Sequence, residues 1–239
     1  MFYSKRIQKD IDTHGYSIVK AADVHWHHVM DPAWMELSHS FNNLPLDSYL
    51  IDGGQYRRRR YGRFIVTAKS GELKQLPNTG FLQQSEEVNR LYQGKVRYFE
   101  PIETATASNR FLATLIVSDL DVFPICTYDN SASWCIDVHQ VRICCTPDTQ
   151  GLPTPEGVHH DGQAFVAMHL IRRSNVAGGI STLYSSDCDP IDSVELELPM
   201  DSVFVDDSRV MHAVSSITPT RMGQDAIRDM LLLNFNPVA

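Results

Sequence analysis

The sequence predicts a mainly β protein, an antiparallel barrel or jelly roll with flanking helices packed outside it and an N-terminal α+β elaboration. The chain has 239 residues, of which 43% are hydrophobic, and this is enough to enclose one core. From about residue 134 onward, short apolar or alternating runs are separated by clusters of Gly, Pro, Asp and Ser, a pattern typical of strands. Helical patterns are nearly absent between these runs, which disfavours a parallel sheet built from βαβ units.

Three helices are predicted before residue 130. The first follows Asp31, a favourable N-cap residue, and has Pro32 in its first turn. The second spans about residues 85–94, where glutamates follow a serine and a glycine ends the apolar pattern. The third spans about residues 109–120 and carries a stripe of large apolar side chains. These helices are expected to form the layer outside the barrel.

The strands of the predicted core follow one another in the second half of the chain. They are expected at about residues 138–145, 164–171, 180–184, 202–205, 210–214 and 227–235. No repeat, low-complexity tract or long linker interrupts the sequence. We therefore expect a single domain over residues 1–239, with the helical and strand elaboration at about 1–130 and the core strands at about 134–236.

Charge and cysteine content exclude several classes of protein. The chain has 21 Lys and Arg against 29 Asp and Glu, a formal net charge of −8, which disfavours a general nucleic-acid binder. No apolar run reaches the length of a membrane span, and the first residues lack the apolar core of a signal peptide. The five cysteines show no CxxC spacing, so neither a disulfide framework nor a cysteine-rich metal site is expected. A cytoplasmic location without membrane or nucleic-acid partners is expected.

The segment around His159 and Asp161 contains the strongest functional pattern. Side chains two apart on an extended segment point the same way, so His159 and Asp161 can share one metal. His212 follows 51 residues after Asp161, inside a strand-like run. Two imidazoles and one carboxylate on one side of a metal form the facial arrangement used by non-haem Fe(II) oxygenases. An isolated HxD occurs often by chance, but its combination with a later His and an Arg is more specific.

Arg228 follows His212 by sixteen residues and is predicted to point into an apolar interior. On a strand it shares its face with Met230 and Leu232. A buried cation without a partner is strongly unfavourable. Either an internal salt bridge or a bound carboxylate would satisfy the guanidinium fork.

The arginine-rich segment at residues 57–63 has three interpretations. It could form a nucleic-acid-binding strand, a solvated edge strand, or a strand whose alternate arginines reach an anionic small substrate. Because the chain is acidic, we favour the third. At a period of two, one face would carry Arg57, Arg59, Tyr61 and Arg63, and the other Arg58 and Arg60. Arg57, Arg59, Tyr61 and Arg97 are the candidate substrate-binding residues.

Segments spread over nearly the whole chain resemble those of a known family. They are residues 57–64, 94–97, 138–142, 157–162, 177–179, 211–214 and 227–229. The family is that of the Fe(II)/2-oxoglutarate-dependent dioxygenases, in the bacterial group that includes the free L-isoleucine 4-hydroxylases. This group also contains members named for biofilm and stress phenotypes.

The resemblance implies a fold, a cofactor set and an activity. The fold would be a double-stranded β-helix, a cupin-like jelly roll. Fe(II) would be held by His159, Asp161 and His212, and Arg228 would bind the distal carboxylate of the cosubstrate 2-oxoglutarate. The expected reaction is hydroxylation of an aliphatic C–H of a small substrate, a free L-amino acid, with release of succinate and CO2.

Two other functions stay open at this point. One is a non-catalytic metal- or anion-binding protein connected with stress or biofilms, and the other is a family member that acts on a macromolecule. A homodimer is the default expectation for assembly.

Four further histidines and one arginine have weaker assignments. Arg142 shares a strand face with residues 138, 140 and 144, and either contacts 2-oxoglutarate or substrate or forms a structural ion pair. His139 is predicted to point the other way, as a core or surface residue. His169 is expected to be a hydrogen-bonded core residue. His25 and His27 have the alternation of metal ligands but no neighbouring carboxylate or cysteine, so surface positions are expected.

Overall fold

The structure of the chain is a computed structural model. It describes residues 3, 5–24, 31–77, 81–82, 96–128, 132–221 and 223–238. The helix predicted at residues 85–94 lies outside these residues, as do His25 and His27. None of the described helices is long and apolar enough to span a membrane.

The described α-helices all lie in the first 120 residues. They are α1 (Lys5–His14), α2 (Pro32–Ser40), α3 (Thr104–Ala107) and α4 (Arg110–Leu120), with short 3-10 turns at Ala21–Asp23, Phe41–Asn43 and Ile125–Thr127. Asp31 caps α2, because its carboxylate accepts a hydrogen bond of 2.9 Å from the Ala33 amide. Asn109 caps α4, because its side-chain oxygen accepts hydrogen bonds from the amides of Phe111 and Leu112 in the first turn. Both of these helices were predicted: the cap of α2 confirms the Asp31 signal, and the buried residues of α4 confirm its apolar stripe.

Fourteen strands are present in the described residues. They are β1 (Tyr16–Val19), β2 (Arg57–Thr67), β3 (Glu72–Gln75), β4 (Phe81–Leu82), β5 (Arg97–Tyr98), β6 (Ser133–Cys145), β7 (Phe165–Ser174), β8 (Val176–Gly178), β9 (Ile180–Tyr184), β10 (Pro190–Glu195), β11 (Ser202–Asp206), β12 (Met211–Val214), β13 (Ile217–Pro219) and β14 (Ala226–Pro237). A strand is found at each of the six predicted positions.

Ten of these strands form two antiparallel sheets, and the other four form the two-stranded sheets β13-β8 and β4-β5. The large sheet has seven strands in the order β1-β11-β7-β14-β6-β2-β3, and the small sheet has the order β10-β9-β12. Leu183 of the small sheet packs with Val166 and Val203 of the large sheet, so the two sheets lie face to face, as in a jelly roll. The mainly β fold is confirmed, although the described sheets do not close into a continuous barrel.

The N-terminal part contributes strands as well as helices. β2 pairs with β6 over its whole length, from Arg57 opposite Ile143 to Thr67 opposite Ser133, and β1 pairs with β11. The core sheet therefore extends beyond the range of about 134–236 that the sequence indicated. The many arginines of β2 hide the apolar alternation by which a central strand is usually recognised.

The two faces of the large sheet have different partners. Side chains of Trp134 and Ile136 on β6, and Leu233 and Phe235 on β14, are fully buried in one cluster with residues of α1, α2 and α4. The alternate residues of both strands point to the opposite face. That opposite face meets the small sheet, and a polar pocket lies between the two.

Candidate metal centre and pocket

A short backbone pairing brings the two distant histidines together. His159 lies in the connection between β6 and β7, and His212 lies on β12 of the small sheet. Each backbone amide donates to the other residue's carbonyl oxygen, at 3.1 Å and 3.0 Å. His159 and His212 are therefore directly opposite each other in an antiparallel pair. Because opposite residues of such a pair project to the same face, the two imidazoles lie side by side.

The side chains of His159, Asp161 and His212 form a compact set of metal-ligating atoms. One ligand atom from each lies within 4.8 Å of the others. His159 Nε2 is 3.6 Å from Asp161 Oδ1, and His212 Nε2 is 4.0 Å from Asp161 Oδ2. The Nδ1 of His159 donates to the Gly157 carbonyl at 2.9 Å, which directs Nε2 and its lone pair toward Asp161. This donor set fits a divalent iron ion.

Asp207 holds the ligand segment in place. Its carboxylate accepts from the amides of Asp161 at 3.0 Å and Gln163 at 2.8 Å. Burial, and then the negative charge of Asp161, raise the pKa of Asp207 to about 6. The segment that carries Asp161 is therefore fixed by a buried acceptor rather than left as a free loop.

The charges of the three groups compensate one another in the protein alone. Burial by itself would lower the pKa of His159, but Asp161 and Glu156 raise it to about 9. Burial would raise the pKa of Asp161, yet the two imidazoles lower it. Burial and the positive charge of His159 lower the pKa of His212 to about 4. Asp161 therefore stays ionised between the two imidazoles. A metal cation would replace the proton that the His159 imidazole holds in the metal-free protein.

Arg228 enters the same pocket from β14 of the large sheet. Its side chain is 2% exposed, and its Nε and Nη2 atoms have no hydrogen-bond partner among the described residues. Burial, and next the positive charge of Arg173, lower the pKa of Arg228 to about 10. Of the two alternatives that the sequence left open, the structure shows no salt bridge at these two atoms. Their donors point into a pocket able to receive a carboxylate.

The arginine-rich strand β2 presents alternate residues to the pocket. Arg57 and Arg59 line it, together with Arg97 of β5. Arg57 is tied to Asp47 by a buried ion pair of 2.7 Å. The Arg59 guanidinium lies over the Phe99 ring at 4.4 Å, and that of Arg97 lies 5.7 Å from the same ring.

Tyr61 and His139 form the support of this arginine cluster. Tyr61 does not line the pocket; its hydroxyl donates to Asp137 at 2.8 Å, and its ring stacks on His139 with centroids 4.9 Å apart. His139 Nδ1 accepts from Arg59 Nη2 at 2.7 Å. Burial, followed by the charge of Arg59, holds the pKa of His139 well below its usual range. His139 is therefore a neutral acceptor.

His139 and Arg142 lie on opposite faces of β6, and His139 is buried, as predicted. His139 faces the pocket, whereas Arg142 faces the 3-10 turn Phe41–Asn43 and is bound to Asp229 at 2.6 Å and 2.9 Å and to Asn42 at 3.2 Å. Of the two roles left open for Arg142, the structural ion pair is present and the contact with the cosubstrate is not supported. Both faces of β6 are buried and each carries apolar and polar side chains, so the sequence pattern did not show which face meets the pocket.

Two other expectations are confirmed. His169 is fully buried, with hydrogen bonds of 2.7 Å to Asp119 and 2.7 Å to Ser202, as expected for a core histidine. All five cysteines are free.

Glu156, Ser181 and Asn234 also line the pocket and were missed. Asn234 could have been predicted from the sequence, because it lies an even number of residues from Arg228 on β14 and therefore shares its face. Glu156 lies in a turn and follows no periodic pattern.

Comparison with known proteins gives the same picture as the geometry. A model of the 2OG-Fe dioxygenase family matches residues 38–234. The chain is 30% identical over 198 residues to an L-isoleucine-4-hydroxylase of Bacillus thuringiensis, covering 82% of this chain and 80% of that protein. It is 28% identical over 207 residues to a 3(1)-hydroxy-L-isoleucine 4-dioxygenase of Pantoea ananatis, covering 84% and 79%.

Solved structures are similar over almost the full length. A bsmA homologue from Methylobium petroleophilum PM1 superposes with a TM-score of 0.82 at 25% identity, covering 99% of this chain and 94% of that one. The structure of IDO from Bacillus thuringiensis gives a TM-score of 0.77 at 20% identity, covering 98% and 96%.

Proposed function

The chain belongs to the 2OG-Fe dioxygenase family, and on that premise we propose that it hydroxylates an aliphatic C–H bond of a free L-amino acid. The family makes it an enzyme that uses Fe(II) and 2-oxoglutarate. The observation that carries the proposal is one pocket containing both the His159–Asp161–His212 set and the buried guanidinium of Arg228, whose Nε and Nη2 atoms have no partner among the described residues. The substrate class rests on the names of the two curated relatives.

His159, Asp161 and His212 would hold the iron. Bound Fe(II) supplies the redox chemistry that couples decarboxylation of 2-oxoglutarate to succinate and CO2 with hydroxylation of the substrate. The protein's part is to fix the ligands, which the Gly157 carbonyl and the Asp207 carboxylate do here.

Arg228 would bind the distal carboxylate of 2-oxoglutarate. Its Nε and Nη2 atoms form one edge of the guanidinium fork, and a carboxylate can accept from both at once. The anion would also offset the repulsion between Arg228 and Arg173 that lowers the pKa of Arg228. Arg228 thereby selects a 2-oxo acid with a second carboxylate.

Arg59 and Arg97 would bind the substrate's carboxylate. Both line the pocket and lie against Phe99, which limits the rotation of their side chains. Apolar side chains of Val141, Met230 and Leu232 line the same pocket and suit an aliphatic substrate. Arg57 is paired with Asp47 and Tyr61 supports His139, so these two have structural roles in this proposal.

The test is an anaerobic titration with Fe(II) and 2-oxoglutarate, followed by an aerobic screen of the free L-amino acids. We expect succinate formation together with addition of one oxygen atom to at least one amino acid, detected by mass. His212→Ala should lose both iron and succinate formation, whereas His14→Ala, which removes an exposed histidine of α1, should keep both. Iron-loaded protein that oxidises no amino acid, but does oxidise a peptide or oligonucleotide, would overturn the substrate class.

Location and assembly remain proposals. The five free cysteines support a reducing, cytoplasmic location. A homodimer stays an expectation, which light scattering would check.

A further inference from the structure

Glu156 is a pocket residue to which the proposed mechanism gives no role. We propose that its carboxylate binds the ammonium group of the amino-acid substrate. The assignment rests on the proposed function, since it requires a substrate with a free amino group. It adds the residue that distinguishes an amino acid from a simple carboxylic acid.

The carboxylate of Glu156 is inside the pocket and incompletely satisfied. Its Oε2 atom is buried and has no hydrogen-bond partner among the described residues. Its Oε1 atom is 3.6 Å from His159 Nε2, and this is the one ion pair found for Glu156 within the described part of the chain. A buried carboxylate needs hydrogen-bond donors or a cation to offset its lost hydration.

The turn that carries Glu156 is fixed to the small sheet. Thr154 and Gly157 close the turn through a backbone hydrogen bond of 3.0 Å. The Thr154 hydroxyl accepts from the Val214 amide at 2.9 Å and donates to the Val214 carbonyl at 3.1 Å. Gly157 has a φ of +80°, which is unfavourable for other residues. The carboxylate is therefore held in position beside the metal ligands.

Glu156 lies outside the ligand set itself. The three groups whose ligand atoms all lie within 4.8 Å of one another are His159, Asp161 and His212, and Glu156 is not among them. A His159 Nε2 that binds a metal does so through its lone pair and has no proton to donate. Metal binding thus removes the hydrogen-bond donor that faces Glu156 Oε1. In the metal-loaded pocket, the Glu156 carboxylate therefore lies beside the metal centre and needs another cation or donor to offset its charge.

A primary ammonium is the ligand that fits this carboxylate. It carries one positive charge and three donors, and the bonds it makes to a carboxylate are charge-assisted. Asn234 supplies a second acceptor in the same pocket, since its Oδ1 atom is buried without a partner among the described residues. The lining of this one pocket therefore contains both arginines and carboxylate or amide acceptors, which match the two charges of a zwitterion.

The experiment compares binding of an amino acid with binding of its deaminated counterpart. The probe is the amino acid of the screen that binds best; for L-isoleucine, the counterpart is 3-methylpentanoate. Calorimetry is done without oxygen on protein loaded with Fe(II) and 2-oxoglutarate, so that no turnover occurs. We expect Glu156→Gln to weaken amino-acid binding by at least about tenfold and to change binding of the deaminated acid by less than about twofold.

The matched control is Asp148→Asn. Asp148 lies on the same connection between β6 and β7 and is exposed, so this variant loses the same charge outside the pocket and should bind both compounds like the wild type. Iron and 2-oxoglutarate affinities are measured on all variants. If Glu156→Gln still prefers the amino acid over the deaminated acid as strongly as the wild type does, the role of Glu156 is overturned and the proposed function is not affected. Loss of iron from Glu156→Gln would also overturn it, by making Glu156 part of the metal site. Failure of every amino acid to bind the wild-type protein would overturn the proposed function and this assignment together.

Discussion

Arg228 has surroundings that are unfavourable unless a ligand is bound. Arg228 is 2% exposed, two of its guanidinium nitrogens have no partner in the described part of the chain, and Arg173 lies nearby. Such a buried cation destabilises the ligand-free protein. We expect Arg228→Met to raise the melting temperature of the ligand-free protein and to weaken 2-oxoglutarate binding by at least about tenfold. Thermal unfolding and anaerobic calorimetry measure the two effects.

A 2-oxo acid without the distal carboxylate provides the control for this prediction. 2-Oxopentanoate should bind the wild-type protein and Arg228→Met with similar affinity, because the removed guanidinium has no carboxylate to meet. An equal loss of affinity for both compounds would show that the substitution disturbs the metal centre instead.

At the scale of elements, His169 joins a helix to two strands. It lies on β7 and forms hydrogen bonds with Asp119 of α4 and Ser202 of β11. All three side chains are fully buried. We expect His169→Leu to lower the free energy of unfolding by about 3–5 kcal/mol, because Asp119 would remain buried without its partner. Urea denaturation measures this change. The double variant with Asp119→Leu should recover part of the loss, and strictly additive losses would contradict the coupling.

Gly179 lies between β8 and β9, and its backbone packs against the side chains of Arg228 and Arg173. It has a φ of +71°, and a Cβ atom there would lie 3.0 Å from Ile217 Cγ2, 3.2 Å from Arg228 Cδ and 3.3 Å from Arg173 Nη1. We expect Gly179→Ala to displace Arg228 and to weaken 2-oxoglutarate binding several-fold, with iron affinity unchanged. Calorimetry with each ligand tests this. Gly53→Ala is the control, because its φ is +69° but no atom lies within 4 Å of the added Cβ; equal effects would assign the loss to backbone strain.

How much of the site the sequence could predict depended on how each strand is buried. On β14, Arg228 shares its face with Met230 and Leu232, so the period of two of a strand placed its guanidinium toward an apolar interior. On β6, residues 136–143 are buried on both faces, and the pattern therefore gave no basis for choosing between His139 and Arg142. Which face of β6 meets the pocket is decided by its pairing with β2 and β14 and by the elements that cover each face, and this information lies in the tertiary structure.

The metal-ligand set and Glu156 mark the limits of local reasoning. The spacing of His159, Asp161 and His212 indicated a shared centre because ligand chemistry restricts which residues can take part. Glu156 had no such signal, since its place in the pocket comes from a turn held by Thr154 and Val214, sixty residues apart. Contacts of that range are set by the packing of the small sheet and cannot be derived from periodicity.

For the whole molecule, the placement of the site makes ligand binding a link between the two sheets. His212 belongs to β12 of the small sheet, and His159 is paired to it by backbone hydrogen bonds. Arg228 belongs to β14 of the large sheet. A 2-oxoglutarate molecule bound to the metal at one end and to Arg228 at the other would therefore connect both sheets. A ligand that binds only the folded state stabilises it by an amount that grows with the logarithm of the ratio of ligand concentration to Kd, about 2.7 kcal/mol at one hundred times Kd.

This link predicts a specific order of thermal stabilities. We expect Mn(II), a redox-stable substitute for Fe(II), to raise the melting temperature alone, and Mn(II) with 2-oxoglutarate to raise it further. 2-Oxoglutarate without metal should have little effect, because Arg228 alone offers one carboxylate contact. Mn(II) with 2-oxopentanoate should add less than Mn(II) with 2-oxoglutarate at equal saturation, since it cannot reach the large sheet through Arg228. Equal shifts with the two acids would show that the metal centre stabilises the fold from the small sheet alone.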